Sequence, residues 1–136
     1  MTGCATGTVR WVLRLEGLCM LIAALLVYSK LGLNWGTFAL LFLVPDISFL
    51  GYLAGLRVGA FAYNTAHSYI GAIACLGIGF LLNAPLFLST GIIWCAHIGF
   101  DRALGYGLKY PAGFGFTHLG VIGRFTKNSP DTSLSQ

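Results

Sequence analysis

The sequence predicts an all-α integral membrane protein, a bundle of four transmembrane helices followed by a C-terminal segment at the membrane interface. Hydrophobic residues make up 57% of the 136-residue chain and charged residues only 9%, whereas a soluble domain is typically about 25% charged. The mean hydropathy is +0.80. The apolar residues also fall into stretches near the roughly 20 residues that a spanning helix needs, with turn signals between them.

Each predicted span ends at a recognisable signal. Gly32 is a typical helix terminator after the first span. Pro45 lies inside the second span, so a kink is expected just before Asp46. Along the chain, the spans and the turns between them are Trp11–Ser29, the loop Lys30–Asn34, Trp35–Ala54, the turn Gly55–Arg57, Val58–Leu82, the turn Asn83–Pro85 and Leu86–Tyr106.

Beyond the fourth span the sequence is rich in Gly and then polar. We expect an ordered stretch near Tyr110–Gly120 and a disordered tail over 127–136, so that residues 1–126 form a single membrane domain. The Tyr and Lys residues of this segment suit the membrane interface. It either anchors the chain there or folds back as a lid that carries Lys109 and His118 to the mouth of the bundle.

The basic residues predict the orientation. The positive-inside rule places both termini in the cytoplasm, because the side that they share carries all the Lys and Arg residues except Lys30. We therefore expect a multi-pass protein of the cytoplasmic membrane, with the lipid bilayer as its main partner. The basic residues are scattered, which argues against nucleic-acid binding. Those on the cytoplasmic side are Arg10, Arg14, Arg57, Arg102, Lys109, Arg124 and Lys127.

Polar residues interrupt every apolar span. An ionisable group inside a bilayer costs roughly 2.5–3.5 kcal/mol on insertion scales, so such groups usually face the bundle interior and carry function. At about 1.5 Å per residue, two layers of polar groups are expected to converge in the cytoplasmic half of the bundle. The residues at a depth of roughly 13 Å are Asp46, His67 and His97, and those at roughly 8 Å are Glu16, Asn64 and Asp101.

The spacing of these residues favours a metal site. His97 and Asp101 are four residues apart, so both side chains project from one helical face and are able to bind one ion. The alternative is a hydrogen-bonded His–Asp pair. Asp46 alone would be interpreted as a carboxyl kept neutral by burial. The two imidazoles predicted at its depth, those of His67 and His97, favour a shared site instead.

The neighbouring polar residues have several possible roles. Asn64 and Ser68 would orient His67 through hydrogen bonds, unless the whole group is a network that only ties helices together. Glu16 is interpreted as a general base, a metal ligand or the partner of Arg102. Arg102 in turn pairs with an acid, reaches the interface or binds a phosphate.

Several stretches carry a resemblance to a known family: Leu13–Gly17, Pro45–Ser48, Gly51–Tyr52, Tyr63–Asn64, Ala66–Ser68, Ala96–Arg102, Gly105–Pro111 and Thr117–Gly120. Over most of its length the chain resembles a family of small bacterial membrane proteins classed as a domain of unknown function (number 4260). This resemblance implies a bacterial four-span protein and names no reaction.

A fainter similarity concerns bacterial inner-membrane proteins classed as metal-dependent hydrolases. These carry a Pro-Asp-Ile-Asp-type motif, then Thr-His-Ser, then Ser-His-x-x-x-Asp. Here Pro45–Ile47, Ala66–Ser68 and Ala96–Asp101 follow the same order, although Ser48 replaces the second Asp and the His-Arg pair ahead of Thr-His-Ser is absent. The resemblance implies a divalent metal (Zn, Fe or Mn) whose ligands are Asp46, His67, His97 and Asp101.

The function that these residues predict is a metal-dependent hydrolase acting on a lipid or lipid-like phosphoester at the cytoplasmic face. Glu16 would be the general base, and Arg102 or Lys109 would hold the phosphate, while the metal activates water. Two alternatives use the same residues. One is a non-enzymatic membrane subunit or transporter with a proton-relay network, alone or in a larger complex. The other is an iron redox protein; bulky neighbours disfavour a haem between His67 and His97.

Overall fold

The computed structural model describes residues 5–111 and 116–121, and this part of the chain is predominantly α-helical. The predicted tail over 127–136 and part of the stretch Tyr110–Gly120 lie outside the described residues. The described elements are α1 (Gly7–Lys30), α2 (Trp35–Phe42), a 3-10 helix (Val44–Ala54), α3 (Leu56–His67), α4 (Tyr69–Leu81), α5 (Pro85–Leu104) and the antiparallel strands β1 (Phe116–Thr117) and β2 (Gly120–Val121).

Two apolar segments of the described chain are long enough to cross a membrane. They are α1, with 24 residues, and Trp35–Ala54, with 20 residues, in which the 3-10 helix follows α2. Only 17% and 6% of their apolar windows are buried, so both turn most of their apolar side chains outward. The α-helical class is therefore confirmed, and the arrangement of four spans stays a prediction.

Several helix ends lie at or near the predicted turns. Gly32 (φ +65°), just after α1, has a backbone conformation that residues with a Cβ rarely adopt. The side chain of Asn34 accepts a hydrogen bond from the backbone N–H of Thr37 at 3.1 Å and so begins α2. Pro85 begins α5, and Gly105, in the left-handed region at φ +93°, ends it.

Two predicted spans are interrupted, and each interruption lies beside a predicted metal ligand. As expected from the kink signal, α2 ends at Phe42, and Pro45 in the first turn of the 3-10 helix directly precedes Asp46. The prediction of one helix over Val58–Leu82 is wrong, because Ser68 has an extended backbone (φ −96°, ψ 151°) between α3 and α4. No Pro or Gly marks this break in the sequence.

α5 is the central helix of the described chain. It packs against α1, α4 and α2, whereas α3 packs against the 3-10 helix. Since α5 carries His97 and Asp101, its packing determines where half of the predicted ligands lie. Buried side chains of α5 belong to two apolar clusters. One contains Ala24, Tyr28, Ile92, Ile93 and Ala96, and the other contains Ala72, Cys95 and Ile98.

α1 and α5 approach each other closely at Gly17 and Gly99. A Cβ added at Gly99 would lie 2.7 Å from the carbonyl oxygen of Gly17, and one added at Gly17 would lie 2.9 Å from the carbonyl oxygen of Gly99. Small residues of this kind let helix backbones approach in membranes. Gly99 lies midway between His97 and Asp101, so the contact fixes the part of α5 that carries both.

We predict that Gly99→Ala lowers the free energy of unfolding by about 1–3 kcal/mol, because the added methyl meets backbone atoms that are unable to move aside. Thermal unfolding of the purified protein in detergent, followed by circular dichroism, measures the loss. Gly77→Ala is the matched control, since its Cβ meets no heavy atom within 4 Å and Ala favours helix. Equal losses in the two variants would contradict the close contact.

Candidate metal centre

Four polar side chains converge beside the two helix interruptions. Asp46 lies in the first turn of the 3-10 helix, His67 ends α3, and His97 and Asp101 lie one turn apart on α5. Each of the two His residues is 2% exposed. One ligand atom from each residue lies within 4.8 Å of all the others. The tertiary structure thus brings together residues that are up to 55 positions apart, from Asp46 to Asp101.

Five of the six separations between the ligand atoms are close to those of a tetrahedral site, and the sixth, between the carboxylate oxygens of Asp46 and Asp101, is within 4.8 Å. The Nε2 atoms of His67 and His97 are 3.1 Å apart, and each lies 3.2–3.5 Å from a carboxylate oxygen of Asp46 and of Asp101. When ligand bonds are about 2.0–2.1 Å long, the corners of a tetrahedron lie about 3.3–3.4 Å apart. These five separations are therefore compatible with one ion held between the four atoms.

The hydrogen bonding of His67 favours a ligand over a donor. Its Nδ1 lies 3.0 Å from the carbonyl oxygen of Tyr63, which is only able to accept, so Nδ1 carries the hydrogen. In the neutral imidazole Nε2 then presents its lone pair to the cluster. The Tyr63 ring stacks on the imidazole with centroids 3.8 Å apart and planes 10° apart, which fixes the direction of that lone pair. This lone pair also faces Nε2 of His97 at 3.1 Å, so it is satisfied either by a bound cation or by a hydrogen that Nε2 of His97 donates.

The break at Ser68 interrupts the helical hydrogen bonds at the end of α3, and α5 donates to two of the carbonyls there. The indole N–H of Trp94 donates to the oxygen of Ala66 at 2.5 Å, and Nη2 of Arg102 donates to the oxygen of His67 at 3.1 Å. An unsatisfied carbonyl in an apolar environment costs several kcal/mol. α5 therefore contributes two of the four candidate ligands and also stabilises the backbone that positions a third.

A cavity of about 250 Å³ opens beside the cluster. The two carboxylate residues of the cluster, Asp46 and Asp101, line it together with Lys109. Its other walls are aromatic and aliphatic, with Tyr63 and Leu104 among them. The side chain of Asp46 is 39% exposed, against 15% for Asp101, so Asp46 is the more accessible of the two. A small molecule in this cavity would contact both the cluster and a cationic residue.

Lys109 is held in place from both ends. Asn64 clamps its backbone, accepting from its N–H at 2.6 Å and donating to its carbonyl oxygen at 2.8 Å. Its Nζ lies 4.7 Å from the centre of the Tyr63 ring, a cation–π distance. Lys109 is only 4% exposed, and this burial lowers the pKa of its ammonium group, while the charge of Asp101 acts in the opposite direction. The segment after α5 thus folds back onto α3.

The remaining predicted residues lie outside the cluster. Glu16 is exposed on α1 and lines a surface groove that it shares with Tyr69 and Arg102, so the structure does not bring it to the four ligand atoms. Arg102 donates from Nη1 to Nε2 of His118 at 2.8 Å. Burial, with the charge of Arg102, lowers the pKa of His118. Ser68 lies at the interruption itself.

Trp94 is the residue that sequence reasoning missed. Its indole N–H has a partner inside the protein only because α3 ends at His67 and frees the carbonyl of Ala66. Since no Pro or Gly signals that break, nothing in the local pattern separates Trp94 from a Trp that faces lipid. A mid-helix Trp on the same helix as His97 and Asp101 is the one weak signal available.

Comparisons with known proteins identify a family without an activity. The family described as "Domain of unknown function (DUF4260)" matches residues 10–122. No curated protein matches the chain, and no solved structure matches it. The resemblance to metal-dependent hydrolases therefore stays a prediction.

We predict that Trp94→Phe lowers the free energy of unfolding by about 1–3 kcal/mol, because the half-buried carbonyl of Ala66 loses its donor in apolar surroundings. Retention of bound metal should fall with it, since the break supports His67. Denaturation in detergent and elemental analysis measure the two effects. Trp11→Phe, at a position 61% exposed, should change neither. Wild-type behaviour of Trp94→Phe in both assays would show that the bond does not support the site.

Proposed function

Since the chain belongs to the family described as a domain of unknown function (DUF4260), whose description names no activity, we propose its function from the site. The proposal is a membrane-embedded, metal-dependent hydrolase that acts on a lipid or lipid-like phosphoester at the cytoplasmic face. The observation that carries it is the convergence of four ligand atoms, within 4.8 Å of one another, beside a cavity that a cationic residue also lines. A metal site and an anion-binding group side by side suit phosphoester hydrolysis.

The donor set suits a divalent transition metal. Two imidazole nitrogens and two carboxylate oxygens are the ligand types that Zn, Fe and Mn accept. A metal held there would lower the pKa of a bound water and polarise a phosphoryl oxygen. The protein's own part is to fix, through the carbonyl of Tyr63, the tautomer of His67 that turns Nε2 to the metal, to exclude bulk water by burying both His residues, and to orient the phosphate.

The roles of two residues change from those predicted from sequence. Glu16 lines a different groove, so we do not retain it as the general base. Arg102 is engaged with the carbonyl of His67 and the ring of His118, so we interpret it as a positioning residue. Lys109 is then the cation that holds the phosphate. Asp46, the more exposed carboxylate, faces the side from which a substrate arrives.

We also propose four crossings of the bacterial inner membrane, with both termini in the cytoplasm. Large apolar side chains are exposed along the helices, Leu53 at 87%, Ile70 at 79% and Leu40 at 78% among them, and lipid would cover them. In the arrangement proposed, α3 and α4 together form the third crossing and α5 the fourth. Broken helices at membrane depth are typical of spans that line a binding site.

A second candidate is a non-enzymatic role, and one observation favours it. All four converging ligand atoms belong to the protein, as in structural zinc sites, whereas catalytic sites keep a position open. The protein would then be a small subunit or transporter whose metal, or whose proton relay, ties the helices together. Measuring the metal content distinguishes a metal site from a proton relay. Measuring activity then distinguishes a catalytic metal site from a structural one.

We predict near-stoichiometric Zn, Fe or Mn in the protein purified in detergent, and loss of that metal in His97→Ala and His67→Ala. Elemental analysis measures it. The third histidine provides the matched control: His118→Ala should keep the metal, because His118 lies outside the cluster. No metal in the wild type, even after incubation with each ion, would contradict the metal site and favour the proton relay.

We further predict that the metal-loaded protein hydrolyses a lipid-like phosphoester and that Asp101→Asn reduces the rate at least about a hundredfold by weakening the metal site. Phosphate or alcohol release in mixed micelles measures the rate. Glu16→Gln, the control carboxylate outside the cluster, should keep most of the activity. A metal-loaded protein that hydrolyses no phosphoester would favour the structural metal site. If the metal in such a protein is iron, a redox assay is the next measurement.

A further inference from the structure

We infer that the groove which α1 forms with Tyr69 and Arg102 binds a membrane lipid with a zwitterionic headgroup, a phosphodiester joined to an ammonium, through the charges of Glu16 and Arg102. None of the four residues of the candidate metal centre lines this groove, so the inference concerns a bound lipid rather than a substrate. It goes beyond the proposed function and does not depend on it.

Glu16 is an exposed carboxylate on an apolar helix that is long enough to cross a membrane. Within residues 5–111 and 116–121, its side chain takes part in no ion pair and no hydrogen bond. An ionisable side chain inside a bilayer is costly unless it pairs with another group. The described part of the chain provides no such group, so we expect the partner of Glu16 to come from the membrane.

Arg102 supplies the opposite charge at the same level of the groove. A Cβ added at Gly17, the residue after Glu16, would collide with the Cβ of Arg102, so the two helices bring these positions to one height. The guanidinium donates to the carbonyl oxygen of His67 and to Nε2 of His118. Neither acceptor carries a negative charge, and the guanidinium forms no ion pair with Glu16. Two of its five N–H donors are used in this way.

One carboxylate and one guanidinium in the same groove favour a ligand with one charge of each sign. A cationic amphiphile would leave the guanidinium uncompensated, and an anionic one would leave the carboxylate uncompensated, which is costly where lipid excludes water. A phosphodiester joined to an ammonium balances both. The hydroxyl of Tyr69 also lines the groove, makes no hydrogen bond within the described ranges, and is able to accept one from a primary ammonium.

The size and the walls of the groove suit a headgroup together with part of an acyl chain. Its volume of about 750 Å³ lies within the roughly 300–1,000 Å³ that is usual for ligand pockets. Apart from Glu16, the α1 residues that line it are apolar or small. Val12, Leu15 and Met20 among them are 47%, 56% and 39% exposed. The chain would lie along these side chains while the headgroup stays between the two charges.

The test is lipid binding to the full-length protein in detergent, measured by native mass spectrometry over a range of lipid concentrations. The probe is dioleoylphosphatidylethanolamine. Three lipids with the same chains are compared with it: dioleoylphosphatidylglycerol has only a negative charge, dioleoyl-trimethylammonium-propane only a positive one, and dioleoylglycerol none. We expect the probe to bind at least about tenfold more tightly than each of these, as for one added hydrogen bond between charged groups.

A charge variant tests the carboxylate. Glu16→Gln should weaken the binding of phosphatidylethanolamine at least about tenfold. It should not weaken the binding of phosphatidylglycerol, because the guanidinium is then the one charged group that lines the groove. Lys30→Gln is the control: it removes a charge from the last turn of the same helix, away from the groove, and should keep the preference for phosphatidylethanolamine.

A matched pair of Trp variants tests the groove itself. Met20→Trp places a large side chain in the groove and should weaken the binding of phosphatidylethanolamine. Leu18→Trp is the control, because Leu18 is 41% exposed on the same helix, against 39% for Met20, and does not line the groove. This control should bind the lipid as the wild type does.

The outcomes separate the inference from the proposed function. An intact preference in Glu16→Gln, or equal binding of the cationic or the anionic lipid, overturns the zwitterionic site. Equal affinity for glycerophosphoethanolamine, the headgroup without chains, overturns the lipid. A wild-type dimer that Met20→Trp dissociates, without any lipid preference, assigns the groove to a second copy of the chain instead. Selective lipid binding without hydrolysis of any phosphoester supports the inference and contradicts the hydrolase, whereas hydrolysis without a lipid preference overturns the inference alone.

Discussion

The interruption between α3 and α4 leaves the carbonyl oxygens of Ala66 and His67 without helical partners, and the site depends on how these are satisfied. Trp94 and Arg102, both on α5, donate to them. Without these bonds the break would cost several kcal/mol in apolar surroundings, and a continuous helix would be favoured. A continuous helix would lack the change of direction that follows His67. The hydrogen bonds of α5 therefore maintain a backbone geometry that the α3–α4 sequence alone would not adopt.

Holding two carboxylates and two buried imidazoles within 4.8 Å of one another raises an electrostatic problem that a cation solves. Two carboxylates in a low-dielectric site repel each other, and the Nδ1 hydrogen of His67 already belongs to Tyr63. A divalent ion would satisfy all four atoms at once, which makes the centre a stabilising element as well as a reactive one. The close contact of Gly17 and Gly99 holds α5 against α1 and so contributes to the same arrangement.

Much of the fold follows from apolar length and turn residues. Gly32, Pro45 and Gly105 end or bend helices at or near the predicted places, because the backbone preferences of Gly and Pro are local. The break at Ser68 was not predictable in this way, because it exists through partners on another helix. Similarly, the depth of Glu16 along its helix was estimated from rise per residue, but depth gives no information about the direction in which the helix turns the side chain.

The sequence by itself determined the α-helical class and the ligand types, since composition and the i, i+4 spacing of His97 and Asp101 are local properties. It also indicated that Asp46 and His67 lie at a similar depth. Only the tertiary structure decided that these four atoms converge within 4.8 Å of one another, that Glu16 lines a different groove, and that Asn64 holds the backbone of Lys109 beside the cavity. The reason is that helix rotation, helix breaks and chain reversal depend on contacts between residues far apart in sequence, and hydrophobic periodicity specifies none of these.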